Sequence, residues 1–447
     1  MKAEKKHGHS FAIILAVITL LVVFFTSMCS DTATSNHDPG DENGNGTENG
    51  NSGSSPQPNP LLAIGCFFDV TLIRDAKHCT QYGIDRAEDF LIEKREKWYP
   101  TQDKWELRAD IIRKQILVGS DLYDAPNKNS LDPIFGEVRH FDGYSVQNVA
   151  FESLPGVFVI ASIYTPAGYD YESSIPGILS PHGHWTSGRY RADAQYRNAA
   201  MARMGAMVIS YDMPGYGPMR EKGWVHRDDD WPSTSRVFEI LKIQLWNSIR
   251  TLDFLLAMGA DPDNIGITGA SGGASQSFLH GAVDDRIKVV VPVNHVSAHF
   301  YGGGSCETGM PIHRADRGRF LTNNVEIVGT IAPRPVLLVS NGDDWTRFTP
   351  EVEFPHVQHI YELMGHPENL ENAHFPDERH TYNHVMRKAV YPFMAKHLGL
   401  DLDKVIDPID GNLNEEGITI ENQNAMYIFN EFPFPSHGIT RKEDVVW

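Results

Sequence analysis

The sequence predicts an α/β protein with a mostly parallel central sheet and helices on both faces. Almost wholly apolar runs at 157–164, 175–180, 206–211, 265–268, 288–293 and 335–340 read as strands buried on both sides. Helical patterns alternate with the later runs, the order expected of a helix-covered parallel sheet. A chain of 447 residues with 41% apolar and 22% charged side chains is long enough for a large core, and is neither disordered in bulk nor a polytopic membrane protein.

Taken in order, residues 1–29 read as an export signal: Lys2, Lys5 and Lys6 precede an unbroken apolar run from Phe11 to Phe25. That run of 15 residues is shorter than the ~20 of a membrane-spanning helix. Cys29 resembles the lipidated cysteine of a bacterial lipoprotein, although Met28 stands where that signal prefers Gly or Ala. The expectation is a periplasmic or cell-surface lipoprotein, with secretion as the alternative and the membrane touched only through this N-terminal anchor. Residues 30–60, rich in Gly, Asn and Ser with five acids and no Lys or Arg, read as a disordered acidic tether.

The folded part is expected over 61–400. Cys66 and Cys79 are either disulfide-bonded or two free thiols. Residues 85–118 look helical, divided at Pro100, and form an N-terminal extension. Runs at 145–151 and 157–164 flank Pro155-Gly156, the pattern of an antiparallel hairpin. The clearest helix spans 235–258 and ends at Gly259; another spans 385–398 and ends at Gly399. Residues 401–447 are expected to be an ordered appendage with short strands at 418–421 and 426–429.

The net charge is −19; the leader adds +2 and the tether −5, so the remainder carries −16. Phosphate neutralisation needs a basic surface, so a nucleic-acid partner is excluded.

Gly269-Ala270-Ser271-Gly272-Gly273 ends an apolar strand and leads into a helical run. Gly-x-Ser-x-Gly is weak alone, but between strand and helix it predicts a sharp turn presenting Ser271 at the sheet's C-terminal edge. The base and orienting acid should follow in the order Asp, His. Asp343-Asp344 closes the strand at 335–340, and His380 lies in a loop before the last helix. His374 and His384 are rivals, placed in a strand and at a helix start. The oxyanion hole should use the Gly272 N–H and an amide of His184 or Trp185, from the loop Pro181-His182-Gly183-His184-Trp185.

A metal site built from His182 and His184 with Cys306, Glu307 or His313 is the weaker reading, because no paired-cysteine or HExxH spacing occurs. No metal and no cofactor are expected.

From about Gly136 to Leu400 the chain resembles the acetyl xylan esterase-like branch of the α/β-hydrolases, related to prolyl-oligopeptidase-like and dienelactone-hydrolase-like enzymes. The carrying segments are PHGHW (181–185), YDMPGYG (211–217), GASGG (269–273), CETGMPIH (306–313), SNGDDWT (340–346), AHFPDERH (373–380) and AVYPFMAKHLGL (389–400). The resemblance implies Ser271 as nucleophile, Asp344 rather than Asp343 as acid, and His380 as base. Arg379 departs from the glycine that often precedes this histidine.

His182, Trp185, Trp231, Cys306 and His313 are expected to touch substrate. The stretches 219–235 (with Trp224 and Trp231) and 301–324 form the pocket rim. The expected function is exported serine esterase of carbohydrate (acetyl xylan) type, acting through an acyl-enzyme on an acylated plant-polysaccharide fragment. A serine peptidase and a non-catalytic carbohydrate-binding protein are the alternatives.

Overall fold

The computed structural model describes residues 91–224, 226, 234–298 and 322–447; the export signal, the tether, Cys29, Cys66, Cys79, Trp231, Cys306 and His313 lie outside them. A five-residue π-helix (Lys94–Trp98) and helix α1 (Gln102–Gly119) lie on either side of Pro100, as the sequence predicts. Then follow β1 (Ile134–Phe141), β2 (Tyr144–Leu154), β3 (Val157–Pro166), β4 (Ile175–Leu179), α2 (Ala192–Arg203), β5 (Met207–Tyr211), α3 (Thr234–Ala257), β6 (Ala260–Ala270) and α4 (Gly272–Val283). The chain continues through β7 (Val289–Val293), α5 (Asn324–Gly329), β8 (Val336–Asp343), α6 (Phe354–Leu363), β9 (Leu370–Arg379) and α7 (His384–Leu398).

These strands form one nine-stranded sheet in the order β1-β2-β3-β5-β4-β6-β7-β8-β9. β1, β2 and β3 are antiparallel, β3 meets β5 antiparallel, and every pairing from β5 to β9 is parallel. The hairpin at Pro155-Gly156 forms as expected, with Leu154 opposite Val157.

Alternate residues of the parallel strands enter two cores. Leu179, Ile209, Val290 and Leu338 pack on one face with Leu245 and Leu252 of α3 and Phe278 of α4. Their neighbours Ile178, Val208, Val291 and Val339 pack on the other with Ala199 of α2 and Val390 and Met394 of α7. Both faces are therefore apolar, which is why these strands read as continuous hydrophobic runs. Helix α7 stops at Gly399 in the left-handed conformation (φ +69°), where a side chain would be strained.

Two expectations are corrected. β1 was not expected: it is an edge strand, largely exposed, and Glu137, Arg139 and His140 obscure its pattern. Residues 418–421 and 426–429 are not strands; the structure has a 3-10 turn (Gln423–Met426) and a short helix (Ile428–Glu431). Their backbone groups bond side chains instead of a ladder. Glu421 N–H donates to Gln195 Oε1 (2.9 Å), and the Ala425 and Met426 carbonyls accept from Asn148 (2.9 Å) and Arg189 (3.2 Å).

Candidate active site

Ser271 follows β6 directly and caps α4, with φ +57° and ψ −123°. Such a backbone persists only where its surroundings impose it, and here the glycines around it allow the close approach. A Cβ on Gly269 or on Gly273 would stand 2.5 Å from the Pro181 carbonyl, so the 181–185 loop crosses against the elbow backbone itself. The Ser271 N–H is shared between the Val293 carbonyl and Asn294 Oδ1, each 3.1 Å away. Gly272 is the first residue of α4, so its N–H has no partner within the helix and belongs to the end that favours negative charge.

Asp344 lies one residue past β8. His380 Nδ1 donates to Asp344 Oδ2 at 2.9 Å, and Trp345 N–H donates to Asp344 Oδ1 at 2.6 Å. The carboxylate is 1% exposed and the imidazole 26%, so the pair is buried on the acid's side and open on the histidine's. Asp343 is exposed at the strand end and makes no bond to His380 among the described residues. The rival histidines are engaged elsewhere: His374 bonds Ser340 Oγ (2.9 Å), and His384 bonds Glu415 (3.2 Å). The His380 ring has two aromatic neighbours, Trp345 at 4.5 Å and Trp185 at 5.7 Å between ring centroids. Arg191 covers Trp185 at 4.5 Å.

The loop after β4 is held by its histidines. His182 is 3% exposed; its Nδ1 donates to the Gly183 carbonyl (2.8 Å) and its Nε2 accepts from Met213 N–H (3.0 Å). Burial holds its pKa down to about 3. With both nitrogens committed inside the protein, His182 braces the loop rather than offering a free ring nitrogen to the site.

His184 lies over the elbow, where a Gly272 Cβ would meet its ring at 2.4 Å. Its Nε2 is 3.1 Å from His226 Nε2, and His226 Nδ1 lies 2.8 Å from the Pro214 carbonyl. A carbonyl only accepts, so His226 carries its proton on Nδ1 and accepts at Nε2 from His184.

Trp224, expected on the rim, is buried and donates Nε1–H to the Ile439 carbonyl at 2.8 Å. Among the described residues no group of three or more His, Cys, Asp or Glu is arranged to hold a metal ion.

Four buried residues beside the site had been given no role. Arg189 Nε donates to Asp212 Oδ1 (3.0 Å) and Tyr190 OH to Asp212 Oδ2 (2.8 Å), joining the loops after β4 and β5. Asp212 had been read only as part of YDMPGYG. The fourth is Asn294, whose one sequence signal is an amide immediately after a buried strand at the sheet's C-terminal edge.

A serine on a strained strand-to-helix turn, a paired Asp-His, and a nine-stranded mostly parallel sheet define an α/β-hydrolase. The chain is a serine carboxylic-ester hydrolase. It shares 36% identity with methylesterase BT1017 over 82% of this chain and 78% of that one, with a TM-score of 0.70. It therefore belongs to the same α/β-hydrolase family as that methylesterase, within the superfamily the sequence resemblance implies. More distant structures include a Bacteroides fragilis protein described as an acetyl xylan esterase (14% identity, 78% of this chain and 91% of that one, TM-score 0.49). Another is a glucuronoyl esterase from Solibacter usitatus (14% identity, 66% and 94%, TM-score 0.46). No protein-family model and no curated protein sequence matches the chain.

Proposed function

We propose that this enzyme cleaves carbohydrate esters through an acyl-enzyme on Ser271. His380 takes the serine proton and returns it to the leaving alcohol, while Asp344 fixes the imidazole tautomer and stabilises the imidazolium. The Gly272 N–H and an amide of His184 or Trp185 receive the oxyanion. The observation that carries this reading is the 2.9 Å His380–Asp344 bond, in a chain whose Ser271 occupies the strained elbow.

Two ester classes are open to this chemistry. In an acetyl ester the acetyl group passes to Ser271 and the sugar leaves as the alcohol; in a methyl ester the sugar's own carboxyl becomes the acyl group on Ser271 and methanol leaves. The sequence resemblance implies the first. The 36% likeness to a methylesterase favours the second, which we adopt. Export, with a lipid anchor at Cys29, is part of the same proposal and rests on residues 1–29 alone. Among the described residues no helix is long and apolar enough to cross a membrane.

The test is a panel of methyl, acetyl and feruloyl sugar esters assayed for released methanol, acetate or ferulate with wild type and Ser271→Ala. Methanol release by wild type is expected, with a loss of roughly 10⁴-fold or more in kcat for the variant and no fluorophosphonate labelling of it. Acetate release alone would replace the methyl reading by the acetyl one. A fully active Ser271→Ala would end the serine mechanism.

A further inference from the structure

Ser271, Asp344 and His380 sit on three separate loops, after β6, β8 and β9. Their mutual placement is demanding, since an ångström of misplacement can cost about 100-fold in rate. Strand β7 lies between β6 and β8 and has been given no functional residue. The residue that follows it, Asn294, is fully buried, and all four of its polar groups reach these limbs.

Its Oδ1 accepts from the Ser271 N–H (3.1 Å), and its Nδ2 donates to the carbonyl of Thr381, the residue after His380 (2.5 Å). Its backbone N–H donates to the Val339 carbonyl of β8 (2.8 Å). Its carbonyl accepts from Trp345 Nε1 (3.0 Å), beside Asp344, and the ring of Trp345 lies against His380. Asn294 has φ +48°, a left-handed conformation that asparagine tolerates better than most residues.

We propose that Asn294 is the positioning residue that sets the geometry of the serine, acid and histidine limbs relative to one another. The side chain requirement is specific. One amide must accept from the serine backbone and donate to the histidine loop; aspartate has no donor for Thr381, and serine is too short to span both. The proposal rests on the serine-esterase reading above.

The test compares the full chain carrying Asn294→Gly or Asn294→Asp with wild type and Ser271→Ala. Glycine adopts the same backbone and keeps both main-chain bonds, and the Ser271 N–H retains the Val293 carbonyl, so the fold should survive. Expected for Asn294→Gly is a kcat about 10- to 100-fold lower, with KM within about threefold and a cooperative melting transition lowered by only a few degrees. Fluorophosphonate labelling should slow in parallel. Asn294→Asp, which keeps only the acceptor, should fall between, and it decides the matter if the glycine variant does not fold.

Wild-type kcat in the folded variants, or a loss confined to KM, overturns the positioning role if Ser271→Ala is inactive. An active Ser271→Ala would instead overturn the serine reading.

Discussion

The Cβ that Gly272 lacks would stand 2.4 Å from the His184 ring, whereas those missing from Gly269 and Gly273 would meet backbone. A ring on a loop can swing aside and backbone cannot. Gly272→Ala should therefore fold, displace His184 from its bond to His226, and lower kcat/KM by about tenfold or more through the crowded oxyanion site. An unchanged kcat/KM would show that His184 plays no part there. The two aspartates separate as cleanly. Asp344→Asn should cost about 10⁴ in kcat, as expected for a triad acid that loses its tautomer control, and Asp343→Asn less than threefold by the same assay.

The placement of Ser271 at a strand-to-helix turn and of Asp344 at a strand end was legible at this scale because each is announced locally, by glycines around a serine or an acid closing an apolar strand. Asn294 was not, since its importance lies in four bonds to residues distant in sequence. The hydrogen bonds of His182 were hidden for a related reason: its partners, the Gly183 carbonyl and the Met213 N–H, meet it only once the loops after β4 and β5 are packed together.

Among the elements, the parallel strands and the helices that cover them were legible from apolarity and glycine stops. The edge strand β1 and the C-terminal turns were not, because one mixes apolar and charged residues on both faces and the others hold their backbone by side chains. The junction between the loops after β4 and β5 depends on Arg189, which bonds Asp212, Ser162 and the Met426 carbonyl while wholly buried. Arg189→Ala would leave a carboxylate in the interior without its cation. Loss of one partner from a buried pair costs about 3–5 kcal/mol, and chemical denaturation should report that loss. Arg189→Ala combined with Asp212→Asn should recover part of it; no recovery would mean that packing rather than charge dominates.

Over the whole molecule, titration of buried groups should shape stability. Burial holds both His182 and His356 down to about 3, against an ordinary 6.5. Each is neutral in the folded chain while its unfolded form binds a proton, so their contribution is complete above about pH 6.5 and is lost as pH falls towards 3. Glu353 runs the other way. Burial pushes it up to about 7 from 4.5, so its contribution is present below about pH 4.5 and lost as pH rises to 7. Glu353→Gln keeps an oxygen for the Ala298 N–H, which Glu353 Oε1 accepts at 2.9 Å. It should raise the melting temperature at about pH 8 and change it little at about pH 4. A uniform shift at both would refute the ionisation account. None of these shifts was readable from sequence, because burial, not residue type, makes them.

The bond from Arg189 to the Met426 carbonyl spans 237 positions of chain. During synthesis or refolding, the serine turn and its sheet can assemble from segments made earlier. The strap over the loop beside them must wait for the far end of the sequence to arrive. A nascent or clipped chain would thus carry its reactive serine before the loop beside it is locked. Hydrolytic power in this enzyme should mature last, as a property of the finished polypeptide.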